Sequence, residues 1–203
     1  MDEKKLLRLL IILFVLEWIW AAVAPFDRKD WLLENILVIL FLPVLWYSHQ
    51  RKMLSVSSYV MLFLFLYFHV LGSHYTYANV PYKEWAATLF GWDLGPGRNQ
   101  FDRLVHFLYG FLFTIPVMEW LVARFNLKGF IKYLLPVTLI MSTSMIYELI
   151  EWLVAELFGG DLGQAYLGTQ GDVWDAHKDM ALASLGSVIT AWGHYYYNRK
   201  EAR

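Results

Sequence analysis

The sequence contains no cysteine. Disulfides, zinc–thiolate centres and thiol catalysis are therefore excluded together. Charge is also scarce and balanced: 17 Lys and Arg against 18 Asp and Glu give a net charge of -1. Nucleic-acid binding usually shows as a clustered basic surface, and none is present. Internal repeats and low-complexity tracts are missing too. What is abundant is apolar. Hydrophobic residues make up 58% of the 203 residues, and 18% are aromatic. Mean hydropathy is +0.40. These residues fall in long runs rather than alternating stretches, which indicates a polytopic membrane protein and not a soluble domain.

About 20 mostly apolar residues are needed to cross the hydrocarbon core. The sequence predicts an all-α bundle of about six spans in one domain covering 1–203, with spans at about 6–23, 31–47, 54–71, 101–123, 130–158 and 172–197. The stretch Ala21-Ala22-Val23-Ala24 resembles a signal-cleavage site, but the apolar runs that follow favour a retained first helix. A long aromatic loop, 72–100, joins spans three and four, and within it Tyr82 to Trp92 suits a short interfacial helix. Gly159-Gly160 supplies a stop for span five. With six spans, Lys4, Lys5, Arg8, Arg51, Lys52, Arg124, Lys128, Lys132, Arg199, Lys200 and Arg203 fall on one side. The positive-inside rule then places both termini in the cytoplasm.

Under that topology the ionisable residues collect at the outer side. Asp102 and His106 are four apart, hence on one helix face. Glu148 and Glu151 share a face of span five with Ser144. Asp172, Asp175 and Asp179 form one stripe of span six, continued by the small residues Ala183, Gly186 and Ser187, which would let helices approach closely. Trp174, His177, Ala181, Leu185, Val188 and Trp192 make the opposite face. Asp102, Asp172 and Asp175 also suit helix caps or first turns, a reading that stays open beside a ligand role. Glu148 and Glu151 lie near a helix C-terminus, where negative charge is disfavoured, and Asp179 lies two turns into its helix. Intramembrane carboxylates need a compensator. Six carboxylates face only Arg98, Arg103 and Lys178, plus whatever the histidines carry. That excess fits a divalent metal held by oxygen and imidazole ligands, or proton transfer.

The segments Phe101-Asp102-Arg103-Leu104-Val105-His106-Phe107, Tyr147-Glu148, Glu151-Trp152, Gln170-Gly171-Asp172-Val173-Trp174-Asp175 through Asp179-Met180, and Trp31-Leu32-Leu33-Glu34-Asn35 resemble the YjdF-type bacterial inner-membrane proteins. The resemblance covers most of the chain and implies topology and an inner-membrane location, not a mechanism. A looser similarity is to VanZ-like membrane proteins, through Asp102-Arg103, His106-Phe107, Glu148 and Asp172 or Asp175. Arg103 in place of Lys, Glu151 in place of Gln and Asp179 in place of Asn depart from that pattern and add negative charge.

The residues point to a metal-assisted hydrolase or transferase at the outer leaflet, acting on a lipid or lipid-linked substrate. His106, Glu148, Asp175 and Asp179 are the expected ligands of a divalent ion. Glu151 and Asp102 are the candidate catalytic pair, one as general acid or base and the other orienting His106. Arg103 and Asp172 are candidate substrate contacts. An ion- or proton-coupled transporter and a non-catalytic scaffold are the alternatives.

Overall fold

The computed structural model of the chain describes residues 2–158, 160 and 167–201. Among these the chain forms seven helices and no strand: α1 (Glu3–Ala22), α2 (Arg28–Gln50), α3 (Val56–His74), α4 (Tyr82–Phe90), α5 (Phe101–Phe125), α6 (Ile131–Phe158) and α7 (Asp175–Glu201). The helical state follows from the runs themselves. Away from water, backbone N–H and C=O groups must bond within the segment. The same setting tolerates Pro43, Pro116 and Pro136 inside α2, α5 and α6.

Four helices are long and apolar enough to cross a membrane: α2, α3, α5 and α6. The charges of Lys4, Lys5, Arg8 and Glu17 in α1, and the polar C-terminal part of α7, set those two apart. Several boundaries differ from expectation. Helix α2 starts at Arg28 rather than near Trp31, because Asp27 caps it by accepting from the N–H groups of Lys29 (2.7 Å) and Asp30 (3.0 Å). Helix α3 runs on to His74, and α7 begins at Asp175 rather than Asp172. The expected stop at Gly159-Gly160 lies partly outside the described residues.

Six helices are long, and neighbours in the chain run in opposite directions. At one end, His74 Nδ1 meets the Ala21 carbonyl (3.0 Å), and Trp18 donates to Asn35 (2.6 Å). At the other, Ser55 donates to Glu119 (2.7 Å), and Asn198 to Tyr133 (3.3 Å). Helix α5 is central, contacting α3, α6 and α7, while α1 and α2 pack on α3.

The closest crossing joins α5 to α7. A Cβ on Gly110 would collide with the carbonyl oxygen of Ala183, and one on Gly186 would meet the backbone of Phe107 and Phe111. Backbone-to-backbone approach of this kind is what small residues permit in membrane helices. The small-residue stripe read from the sequence is therefore buried: Ala183 and Ser187 are 0% exposed. The opposite face, with Trp174, Leu185, Val188 and Trp192, is exposed. Thr114 closes the same crossing, donating to Gly110 O (2.7 Å) and meeting Ser187 Oγ (2.6 Å).

A candidate metal centre at the acidic end

The helix crossing fixes which side chains meet. It brings the first turns of α5 and α7 together, and the last turns of α6 close the third side. Ligand atoms of Asp102, His106 and Asp179 lie within 4.8 Å of one another. His106 Nε2 is 3.5 Å from Asp102 Oδ1 and 3.6 Å from Glu148 Oε1. Asp179 is 2% exposed, and His106 and Glu148 are 8% exposed. One oxygen of Asp179 and one of Glu148 are buried without a hydrogen-bond partner, as is Ser144 Oγ. Such orphaned buried acceptors are costly, and in native proteins they call for a specific explanation.

The fixed positive charge goes elsewhere. Arg98 reaches Asp175 (2.6 Å) and sits 3.8 Å from Asp102. Arg103 pairs with Asp172 and lies 3.2 Å from Asp175. Lys178 reaches Asp172 at 2.5 Å. Asp175 is thus clasped by two guanidinium groups at the rim. Asp172 precedes α7 and accepts the Trp174 N–H (3.0 Å). Lys178, the Trp174 N–H and Arg103 together hold the Asp172 carboxyl well below the usual carboxylate range. Arg98 also donates to the carbonyls of Thr169 and Gly168, and Gln170 exchanges hydrogen bonds with the Asn99 backbone (2.8 and 3.1 Å). These contacts tie the loop before α5 to the loop before α7.

Behind the cluster lies a second polar layer. Glu34 of α2 is 2% exposed and accepts from the Tyr147 hydroxyl (3.1 Å). Glu151 is 8% exposed and lies within hydrogen-bonding reach of Tyr147 and Glu148. His69 Nε2 meets the Glu34 carbonyl (3.3 Å), and the Tyr77 hydroxyl meets His69 Nδ1 (2.6 Å). Burial pushes the Tyr77 hydroxyl well above its ordinary value, so it stays protonated and donates. A donor at Nδ1 leaves the proton on Nε2, aimed at the Glu34 carbonyl.

The sequence-derived residues therefore divide in two. His106, Asp179 and Asp102 converge, with Glu148 at their edge and Glu151 behind it. Asp175, Arg103 and Asp172 are engaged with one another and with Arg98 and Lys178 at the rim. His177 is exposed and packs on Trp174 at 5.3 Å, away from the acids. Glu34 and Tyr147 were not assigned to the site from sequence. The available signal was Asp30 and Glu34, four apart on one face of α2 and both buried here.

Comparison with known proteins identifies the family. Residues 6–200 match the family described as "Predicted membrane protein (DUF2238)". The chain belongs to that family. It is 34% identical over 178 residues to the Inner membrane protein YjdF of Escherichia coli (strain K12), an alignment that covers 85% of this chain and 80% of that protein. No solved structure matches. The YjdF-type resemblance read from the motifs thus holds, whereas nothing in these comparisons supports the VanZ-like pattern. For this family, four apolar helices of spanning length make association with a lipid bilayer the firm part of the description.

Proposed function

We propose that this protein is a divalent-metal-assisted hydrolase or transferase of the inner membrane, working at the extracytoplasmic leaflet on a lipid or lipid-linked substrate. The observation that carries the reading is the Asp102–His106–Asp179 triangle, with His106 and Asp179 buried and Asp102 half-buried, beside the orphaned oxygens of Asp179 and Glu148. Asp102, His106 and Asp179 are the ligands in this reading, and Glu148 completes the shell. Oxygen and imidazole donors suit a hard or borderline divalent ion. Such an ion supplies Lewis acidity toward a phosphoryl or carbonyl oxygen. Glu151, next to Glu148 and Tyr147, is the general acid or base. Asp175, Arg98 and Arg103 hold the rim, and Arg103 is the group closest to an arriving anionic headgroup.

The orientation is part of the proposal: all six long helices cross, with both termini in the cytoplasm. The alternation of helix direction and the collection of Lys and Arg at the end opposite the acids support it. Reporter fusions at each terminus test it directly.

The activity is tested on whole lipids. Membranes from cells overproducing the wild-type chain or Asp179→Asn are extracted and compared by mass spectrometry, with and without chelator. The expected outcome is a lipid or lipid-linked species altered by the wild type, and left unaltered both by the variant and by the wild type when chelator is present throughout. Identical lipid profiles with a measurable ion flux in proteoliposomes would instead identify a transporter.

A further inference from the structure

The basic end of the bundle carries a cavity of its own. It measures about 380 Å³ and opens between α5, α6 and α7, lined by Glu119, Val122, Leu127, Lys128, Lys132 and His194. Two local features build it. Asn126 ends α5 with φ 52°, and Gly129 adds a second left-handed residue at φ 62°, where glycine is unstrained. This tight connection projects Lys128 at the mouth. In the first turn of α6, Lys132 lies over the Tyr133 ring, with its ammonium 4.7 Å from the ring centroid.

The charges around the cavity are not balanced within it. Glu119 is the acid of the lining, and its carboxylate is already used: it accepts from the Ser55 N–H, Ser55 Oγ and Ser58 Oγ, each at 2.7 Å. Neither Lys128 nor Lys132 makes an ion pair among the described residues. The floor is apolar, from Met118, Val122 and Leu127. Next to the lining, Tyr133 lies 6.2 Å from His194 and meets Tyr195 edge-on at 5.2 Å, with Trp192 6.3 Å from Tyr195. Tyr and Trp collect where chains meet the headgroup layer.

We propose that this cavity binds a phosphate group, presented by an anionic phospholipid headgroup. Lys128 and Lys132 take the phosphate oxygens, the polar edge of His194 faces the glycerol region, and the apolar floor accepts the start of an acyl chain. Basic pockets between helices on the cytoplasmic side recognise acidic headgroups by this chemistry. The site lies at the end of the bundle opposite the Asp102–His106–Asp179 centre and is independent of it.

The test uses the full-length protein in zwitterionic micelles, titrated with phosphatidylglycerol, with phosphatidylcholine, or with inorganic phosphate, and reads thermal unfolding. Phosphatidylglycerol is expected to raise the midpoint saturably, and phosphatidylcholine is not. At ~1 kcal/mol per lysine, Lys128→Ala with Lys132→Ala weakens the apparent affinity by about 30-fold, and Lys128→Arg retains it. Lys29→Ala, an exposed lysine at the other end, leaves the response intact. Undiminished affinity in the double variant overturns the site. A response to inorganic phosphate with none to phosphatidylglycerol removes the lipid assignment. Because Lys128 is exposed on a connection, Lys128→Ala alone folds normally and should show a partial loss, about fivefold.

Discussion

The two ends of the bundle handle their carboxylates in opposite ways. At the basic end, Glu119 is fully engaged: three donors from the start of α3 satisfy it, and it ties α3 to α5. At the acidic end, Arg103 and Lys178 go to Asp172 and Arg98 to Asp175, while Glu148 and Asp179 each keep one buried oxygen without a hydrogen-bond partner near His106. A carboxylate whose hydrogen bonds are complete belongs to the architecture. One that is buried and short of partners costs stability unless something else arrives to neutralise it. On the proposed reading, the contrast separates acids that tie helices together from acids left open to a ligand.

The contrast can be broken most severely at the crossing on which the site depends. Gly186→Val drives a branched side chain into the backbone of Phe107 and Phe111, and the loss is expected to reach about 3 kcal/mol or prevent assembly. Yield and thermal midpoint in detergent report it, and an unaffected midpoint would mean that α5 and α7 are not so close. Next in size is Asp175→Ala. It takes the shared carboxylate from Arg98 and Arg103, whose side chains are only 11% and 18% exposed, and should cost about 1 to 3 kcal/mol, because Asp172 still pairs with Arg103 and the Thr169 and Gly168 carbonyls still accept from Arg98. In metal-free protein, Glu148→Gln should be neutral or stabilising, since it removes an uncompensated charge. If both variants lose equally, the division between rim and centre is wrong.

At the basic end, Glu119→Gln weakens the accepting group for three donors and should lower stability by about 1 to 2 kcal/mol. Its metal content should match the wild type. The smallest effect is the pH dependence of the rim. The Asp172 carboxyl is depressed in the folded protein, so its contribution is present above its unfolded value of about 4 and fades as pH falls below that. Lys178→Ala should therefore lower the midpoint slightly at neutral pH, with the difference from wild type shrinking only as the pH falls well below the unfolded value towards the depressed folded one. A difference that grows on acidification would contradict the assignment.

Much of the fold could be read from residue order. The long apolar runs give the helices, a short helix falls within Tyr82 to Trp92 as expected, and the stripe from Asp175 through Ser187 is buried as its spacing implies. Helix starts were less legible because side-chain caps decide them. Asp27 moves the start of α2, and the loop held by Arg98 and Gln170 defers α7 to Asp175. In the site, i,i+4 spacing correctly brings Asp102 beside His106. It cannot say which of several acids an arginine will take. Asp175 and Asp179 share one face, yet the first meets two guanidiniums and the second none, because only the outermost turn is within reach of the loop before α5. Glu34 and Tyr147 meet across helices 113 residues apart in sequence, which no local period encodes.

The central claim is that the triangle of Asp102, His106 and Asp179 holds a divalent ion. Elemental analysis of the purified protein, after exposure to a panel of divalent metals and desalting, tests it most directly. The prediction is about one ion per chain in the wild type, lost in Asp179→Asn and His106→Ala and kept in Lys178→Ala and Glu119→Gln. No retained metal at any pH from 6 to 9, or the same metal content in all five proteins, would contradict it.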